Sequence, residues 1–549
     1  MMLASPASNS LRRSPLLVCI LVVLCIQSYY LFKYNSQATT RYVREDYSSK
    51  GPYAPGAGTK VETVIVTRTA LVGPTGTNAV LQHINVPVRS APIHDIVLAI
   101  KTGATVIHAR VPIQLLTFVP NFPNTLVYSD LKSKIGDYKV ADALARVSAD
   151  EAGSTLKYWR KLQDVQAQND GLSDSEGKMG DLKEGWALDK FKNVPILIET
   201  YQKFPDASYY LFIDGDTSLI ASNWLPYLID LSRKHDPVKS PIYWGSMALL
   251  NNVPFGHGGS GYLINQAALR KLIPQDKLYD ETFLLDLERN YTKLASSSCC
   301  GDLVLGQAMT DRAGVTVKHK WPWYQGETWW SIPYHESNFC SAIGTLHHVL
   351  PEDMQEIWDF EQHMLKKNGM DKWRPDGWTD EYEGGFKQWK FSDMPREARS
   401  QDLKQYKNIL FRDMFDYFIA KKLPQEAEKD EDGTMTQSAR RVGWDNRSWK
   451  ETEWNKDKIK KEGTLDWQKD SILNEKNCRI ACETYQKNCI QWYYRDGICG
   501  LSPKLNYGRR LRNDGTYDEW KKLGISGWIP DRVEKKIGEW RSKCPGTVA

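Results

Sequence analysis

"YYLFIDGDTSLI", Tyr209 to Ile220, decides how this chain is read. Five apolar or aromatic residues run straight into Asp214-Gly215-Asp216, after which Thr217, Ser218, Leu219 and Ile220 follow. A short apolar run bounded by polar residues and glycine reads as a buried strand that stops abruptly. Two carboxylates two residues apart at its end are costly to bring together unless a cation lies between them. A surface turn is the plain alternative, because Asp and Gly both favour turns.

Similar runs occur upstream. "IVLAIKTGAT" from Ile96 predicts a strand ending at Lys101-Thr102-Gly103, and "TLVYSD" predicts another ending at Ser129-Asp130. "LDKFKNVPILIETYQKF", from Leu188, has the pattern of an amphipathic helix started or interrupted near Pro195. A polar stretch around Gln166–Lys183 reads as a loop. Strands separated by helical segments predict an α/β sheet with parallel members, and such sheets collect ligands at the carboxyl ends of their strands. Lys101, Asp130 and Asp214 all fall at those ends.

Three later motifs carry further chemistry. In "FGHGGSGYLINQAALRKL", Gly256-x-Gly258-x-x-Gly261 matches the dinucleotide fingerprint by letter, and Asp280 falls near the expected spacing. That fingerprint opens a βαβ unit directly after a strand, whereas "NNVPF" precedes this one deep in the chain, and the Lys-Ser/Thr ending of a P-loop is missing. The glycines instead suit a loop whose backbone approaches a ligand closely, before a helix over "NQAALRKL"; a purely structural turn is the alternative. In "SCCGDLVLGQAMTDRAGV", Asp302 precedes an apolar helical run, either as its N-cap or as a carboxylate facing the same cleft. In "GTLHHVLPEDM", His347 and His348 are a metal candidate at a predicted strand end. Adjacent strand residues point to opposite faces, so one of the two is expected to ligate.

The 549 residues accommodate a large domain and a smaller one. With 72 basic and 67 acidic residues, the net charge of +5 gives no electrostatic case for nucleic acid. Pro15 to Phe32 is an uncharged apolar stretch of 18 residues, about 27 Å long as a helix. It reads as a single-pass signal anchor, with a cleavable signal as the alternative. Arg12 and Arg13 favour a cytosolic tail over residues 1–14, and the Ser/Thr/Gly/Pro-rich residues 33–90 read as a lumenal stem, with a short strand at Val61 to Val66. Outside that stretch eight cysteines remain, five of them in the last 72 residues, so a full pairing must recruit Cys299, Cys300 or Cys340. In an oxidising lumen these favour disulfides over zinc thiolates. Asn290 and Asn446 stand in glycosylation sequons. Residues 366–470 are strongly charged and read as a linker or helical extension, with "PQEAEKDEDGTM" solvated.

Taken in order, "IKTGAT" with "SD", "GWALDKFK", "YYLFIDGDTSL", "FGHGGSGYLINQAAL", "CCGDLVLGQA" and "GTLHHVLPEDM" resemble the glycosyltransferase family 31 enzymes, the β1,3-glycosyltransferases, over roughly residues 94–362. The resemblance is nearest to fungal members with a cysteine-containing tail. It implies a GT-A, Rossmann-like domain over residues 91–365, a UDP-sugar donor, Mn²⁺, a glycan or glycoprotein acceptor, an inverting transfer and a Golgi membrane location. Residue by residue, it implies Asp214 and Asp216 as the Asp-x-Asp motif and His347 as the histidine completing the metal site. It further implies Asp302 as catalytic base, His257 to Gly261, with Gly258 and Gly259, as the loop lining donor and acceptor, and Lys101, Thr102 and Asp130 near the nucleotide. Two positions depart from the family pattern: Asp214 is more often Glu in the fungal relatives, and Cys-Cys-Gly-Asp replaces the Pro-Asp-Asp or Glu-Asp of the animal enzymes. The tail over residues 471–549, Cys478-x₃-Cys482-x₆-Cys489-x₉-Cys499, resembles a PAN/apple-like module. Two other functions fit the residues less fully: a glycan-binding or scaffolding protein on a transferase fold, and a glycoside hydrolase using Asp216 and Asp302.

Overall fold

The computed structural model describes residues 93–168, 182–374, 390–391, 403, 405–430, 432–511 and 522–544. In chain order its first strands are β1 (Ile96–Lys101), β2 (Thr125–Ser129), β3 (Ser133–Ile135), β4 (Tyr138–Asp142), β5 (Tyr209–Asp214), β6 (Ser218–Leu219), β7 (Tyr243–Gly245), β8 (Met247–Leu250), β9 (Val253–Gly256), β10 (Tyr262–Asn265), β11 (Lys318–His319) and β12 (Thr345–Leu346). Eight of them form one mixed sheet in the order β11-β7-β10-β5-β1-β2-β4-β3.

The uninterrupted apolar runs follow from burial on both faces. Tyr209, Leu211 and Ile213 of β5 join Ile96, Leu98 and Ile100 of β1 in one core, while Tyr210 and Phe212 join Val97 and Ala99 in the other. The first core is covered by the helices Ile107–Leu116, Trp224–Lys234 and Pro351–Asn368; the second by Asn193–Lys203, Glu281–Ser297 and Gly301–Asp311. Pro195 sits in the first turn of its helix, where a missing N–H costs nothing. This three-layer α/β arrangement is compatible with a Rossmann-like fold.

β1, β2, β4 and β5 are parallel. The chain moves outward from β1 to β2 and β4, then returns to the other side of β1 as β5. Strand order therefore reverses between β1 and β5, where an open α/β sheet has its crevice. Register pairs Lys101 with Asp214 at the carboxyl ends of these two strands. The sheet departs from a parallel one at its β3 edge, antiparallel to β4, and at β10, which runs antiparallel to both β5 and β7. A strand, β9, does precede the glycine loop, but it is one arm of the β8–β9 hairpin, and the loop leads into β10 before the Gln266–Leu272 helix.

Residues 366–470, read as a charged linker or extension, contribute core and sheet. The helix Phe411–Phe418 buries Phe411, Met414, Phe415 and Phe418 in the first core. Ala439–Val442 and Thr452–Trp454 are strands of a five-stranded antiparallel sheet with Gln491–Arg495, Ile498–Ser502 and Ile525–Trp528. The C-terminal module thus begins upstream of residue 471. Within "PQEAEKDEDGTM", Asp430 pairs with Arg479 at 2.6 Å rather than standing in solvent. The eight cysteines among the described residues all pair: Cys299–Cys300, Cys340–Cys544, Cys478–Cys499 and Cys482–Cys489. The described residues all belong to one compact unit.

The membrane part of the expected fold class is corrected. No helix among the described residues is long and apolar enough to cross a membrane, and the expected anchor at residues 15–32 lies outside them, as do the tail, the stem with Val61 to Val66, and residues 169–181 of the expected loop.

Asn290 is exposed on the Glu281–Ser297 helix. Asn446 is 0% exposed, its Nδ2 donating to Trp492 O and Gly527 O at 3.0 and 3.3 Å. After secretory expression, glycan mapping by mass spectrometry should find a glycan at Asn290 and none at Asn446. Packing makes a second prediction. A Cβ on Gly306 would lie 2.4 Å from Phe255 Cβ, so Gly306→Ala should destabilise by about 1–3 kcal/mol from overpacking. Differential scanning calorimetry of the full chain should show the loss as a lowered transition temperature.

Candidate functional site

The carboxyl end of β5 is held from three sides. Gln114, fully buried on the Ile107–Leu116 helix, donates through Nε2 to Asp214 O and Thr217 O at 3.1 and 2.8 Å. Gly215 N donates to Lys101 O at 2.8 Å. A Cβ on Gly215 would lie 2.8 Å from Thr102 Oγ1. The glycine therefore permits the close approach of Thr102 at the end of β1.

Asp214 and Asp216 then part company. Asp214 Oδ1 lies 3.3 Å from Lys101 Nζ, which also donates to Asp189 Oδ2 at 2.5 Å. Burial pushes the Asp214 carboxyl up to about 6 against the pull of Lys101. Burial would lower the Lys101 pKa, but Asp189 and Asp214 together raise it above the usual lysine value. Lys192 continues the chain of charges, 2.5 Å from Asp130 Oδ1 and 3.7 Å from Asp189 Oδ1, and donates to Thr102 O at 2.9 Å. Asp130 Oδ2 accepts from Ala104 N at 2.9 Å. Asp130 is 1% and Thr102 6% exposed, so both shape the strand ends from within.

Asp216 faces a different set of groups. The two-residue strands β6 and β12 pair antiparallel, Leu346 opposite Ser218. Continuing that register brings His347 and His348 beside Thr217 and Asp216, and Val349 N donates to Asp216 O at 3.0 Å. His347 Nε2 lies 3.4 Å from Asp216 Oδ1, and Arg110 Nη1 3.3 Å from Oδ2. Burial works against ionisation of Asp216, but His347 and Arg110 outweigh it and hold the carboxyl below the usual carboxylate range.

One carboxylate oxygen of Asp216 and one nitrogen each of His347 and His348 lie within 4.8 Å of one another. The cluster differs from the expected Asp214, Asp216 and His347 in two ways. Asp214 is engaged by Lys101 instead, and His348 joins His347. Strand alternation does not apply to the pair, because both residues lie past the end of β12 and His348 is left-handed, with φ +56°. The rings lie side by side, tilted by 31°, with 3.9 Å between centroids. The donor set suits a divalent transition ion. His347 is buried, and its Nδ1 has no hydrogen-bond partner among the described residues, so the imidazole has coordinating capacity to spare.

The glycine loop joins this cluster to Asp302. Thr217 Oγ1 donates to Gly259 O at 2.8 Å and Thr345 Oγ1 to Ser260 O at 2.6 Å, fixing the loop against both short strands. A Cβ on Gly259 would sit 2.1 Å from the His347 ring, so only glycine lets the imidazole pack there. Gly258 N donates to Asp302 Oδ2 at 2.9 Å. A Cβ on Gly258 would lie 3.6 Å from Asp302 Oδ2 and 3.7 Å from Asp214 Oδ2, placing that glycine between the two carboxylates. Asp302 is not the N-cap of its helix, a position Cys300 occupies; its Oδ1 accepts instead from Leu303 N at 2.9 Å. His257 Nδ1 meets Ser260 Oγ at 2.8 Å, and burial followed by repulsion from His347 lowers its pKa.

Arg110, Gln114, Asp189, Lys192 and the pairing of His348 with His347 escaped the sequence reading. Asp189 and Lys192 stood three apart within "GWALDKFK", a spacing that signals an ion pair on a helix face. Nothing local marks Gln114 or Arg110. Searches of family models and of curated proteins find no match for this chain.

With Asp216 held ionised, the acid limb of ion binding is set by the imidazoles. Burial followed by repulsion from His347 lowers the His348 pKa. Titrating the full chain with Mn²⁺ as an EPR-active probe should show affinity constant near neutrality and falling only on acidification below the ordinary imidazole range, where a protonated His348 can no longer ligate. His348→Ala should weaken binding at least about tenfold. Undiminished affinity in that variant would mean the ion sits elsewhere.

Proposed function

We propose that this protein is an inverting, metal-dependent glycosyltransferase that moves a hexose or N-acetylhexosamine from a UDP-sugar to a glycan acceptor, forming a β1,3 linkage. One observation carries the reading: at the crevice end of β5, Asp216 with two imidazoles and Asp302 are joined through a single glycine loop.

The division of labour follows from the chemistry. Asp216, His347 and His348 would hold Mn²⁺, a dication that accepts carboxylate and imidazole ligands alike. When bound, such an ion supplies Lewis acidity to a diphosphate leaving group. Lys101, pinned between Asp189 and Asp214, contributes fixed positive charge at the same strand ends. Asp302 takes the proton of the acceptor hydroxyl as it attacks the anomeric carbon opposite the leaving group. Two backbone N–H groups aim that carboxylate, those of Gly258 and Leu303. The glycines leave backbone, not side chain, at the centre of the cleft, where substrates would have to approach closely. The four disulfides support a working place in an oxidising, secretory compartment.

A panel of UDP-sugars assayed for Mn²⁺-dependent hydrolysis should identify the donor. With that donor, Asp302→Asn should retain donor binding by calorimetry and lose transfer by about 10²–10⁴-fold, the usual worth of a general base. Asp216→Ala should lose Mn²⁺-dependent donor binding. Transfer by Asp302→Asn at the rate of the unmodified chain would remove Asp302 from the chemistry.

A further inference from the structure

The two histidines hang from a segment that the C-terminal module grips. Residues 323–327 run beside the segment that leads through β12 into His347: Gly344 N and Thr345 N donate to Trp323 O at 3.0 and 3.1 Å, and Gln325 N to Thr345 Oγ1 at 3.1 Å. The last rung is His347 N to Glu327 O at 3.3 Å. From Glu327 onward the partners change. Tyr334 and Leu505 exchange two backbone bonds of 2.9 and 3.0 Å, Gly508 N donates to Trp330 O at 2.7 Å, and Asn506 Nδ2 to Ser331 O at 2.8 Å.

Glu327 is the pivot between the two sets. Its carbonyl receives the His347 N–H, while its carboxylate accepts from Arg447 Nη1 at 2.8 Å, Lys450 Nζ at 2.7 Å and Ser331 Oγ at 2.7 Å. Arg447 adopts a left-handed backbone, φ +59°, held by Asp445 Oδ1 accepting from its N–H at 2.7 Å. A non-glycine residue persists in that conformation only where its surroundings over-determine it. Here it delivers the guanidinium to Glu327, and the same group lies over the Trp330 ring at 5.7 Å. Charge-assisted bonds are about twice as strong as neutral ones, so this clamp is the firmest tie on the segment.

We propose that the C-terminal module is a positioning element of the metal centre: Arg447 and Lys450, by fixing Glu327, hold His347 and His348 in the geometry in which both imidazoles face Asp216. The proposal rests on the metal reading of that cluster. A module that only capped the fold would reach the catalytic layer through apolar contact. This one also ends its strongest polar contacts on Glu327, a single backbone hydrogen bond away from His347. Ligands that are oriented from outside lose metal affinity when the support is removed, even though the ligands themselves remain.

The test uses the full chain and Mn²⁺ alone. Arg447→Ala/Lys450→Ala should weaken Mn²⁺ binding by EPR or calorimetry at least about tenfold, and Lys450→Ala with Arg447 intact should recover part of it. Glu327→Gln releases the same clamp without leaving a buried carboxylate unpaired, which guards against a double variant that fails to fold. It should show the same loss of affinity, with the chelator-treated protein melting as the unmodified chain does. Unchanged Mn²⁺ affinity in folded Glu327→Gln would overturn the positioning role alone. Absence of Mn²⁺ binding by the unmodified chain would overturn the metal reading and this inference together, so the two failures are told apart.

Discussion

Everything at the working end of this sheet depends on Lys101 being clasped between Asp189 and Asp214. Three carboxylates, Asp130, Asp189 and Asp214, alternate with two ammonium groups, Lys192 and Lys101, along the ends of β1, β2 and β5 and the turn before the Asn193–Lys203 helix. Lys192 and Asp130 are buried, whereas Lys101, Asp189 and Asp214 are partly exposed. A charge taken out of water is offset only if opposite charges and hydrogen bonds surround it, and removing one member leaves its neighbours uncompensated. The chain of pairs therefore locks three parallel strands and a helix into one geometry at the switch point. It also answers why Asp-Gly-Asp can end a strand. A single cation between the two carboxylates is not needed: Asp214 has Lys101, Asp216 has Arg110 and the imidazoles, and Gly215 lets the backbone turn against Thr102.

That separation is what frees Asp216. With Asp214 committed to the buried chain, the second aspartate turns toward the short β6–β12 ladder, and the ladder's register brings the histidines to it. The glycine loop then closes the arrangement from above. Gly259 yields its side-chain volume to His347, and Gly258 stands between Asp214 and Asp302. A side chain at Gly259 would drive the His347 ring away from the groups that the strands bring together. Of the four glycines in six residues, Gly259 makes room for the His347 ring, Gly256 lies where a Cβ would come 3.1 Å from Tyr243 Oη, and Gly261 is left-handed at φ +77°.

How much of this was legible varied with the range of the interaction. β1, β2 and β5 are six- and five-residue apolar runs flanked by polar turns, and they read directly as buried strands. Asp214, Asp216, Lys101 and Asp130 were legible as residues at strand ends, though which carboxylate faces which cation was not. β6 and β12 are two residues each, too short for any periodicity, and without their pairing nothing joins residue 216 to residues 347 and 348. Strand alternation misjudged His348 because its backbone has left the β region. The charged stretch after residue 366 was misleading for a different reason. Among its described residues, charges enter contacts such as the Asp430–Arg479 pair and Arg441 over the rings of Trp444, Tyr507 and Trp528, which become visible only when distant segments meet.

Charge balance ties the buried chain to the exposed cluster. Around the strand ends stand five carboxylates, Asp130, Asp189, Asp214, Asp216 and Asp302, and three permanent cations, Lys101, Lys192 and Arg110. With the imidazoles neutral, two negative charges are left over. That imbalance is felt at Asp214, whose carboxyl is driven up to about 6, first by burial and then by Asp189 and Asp216 against the opposing pull of Lys101. Desolvated like charges of this kind relax either by taking up protons or by gathering positive charge from outside. A divalent ion beside Asp216 would cancel the surplus, and it would do so at the carboxylate that the two imidazoles face and that only the half-exposed Arg110 guanidinium otherwise pairs. The site's electrostatics and its ligand chemistry thus call for the same charge in the same place, and they do so from different residues.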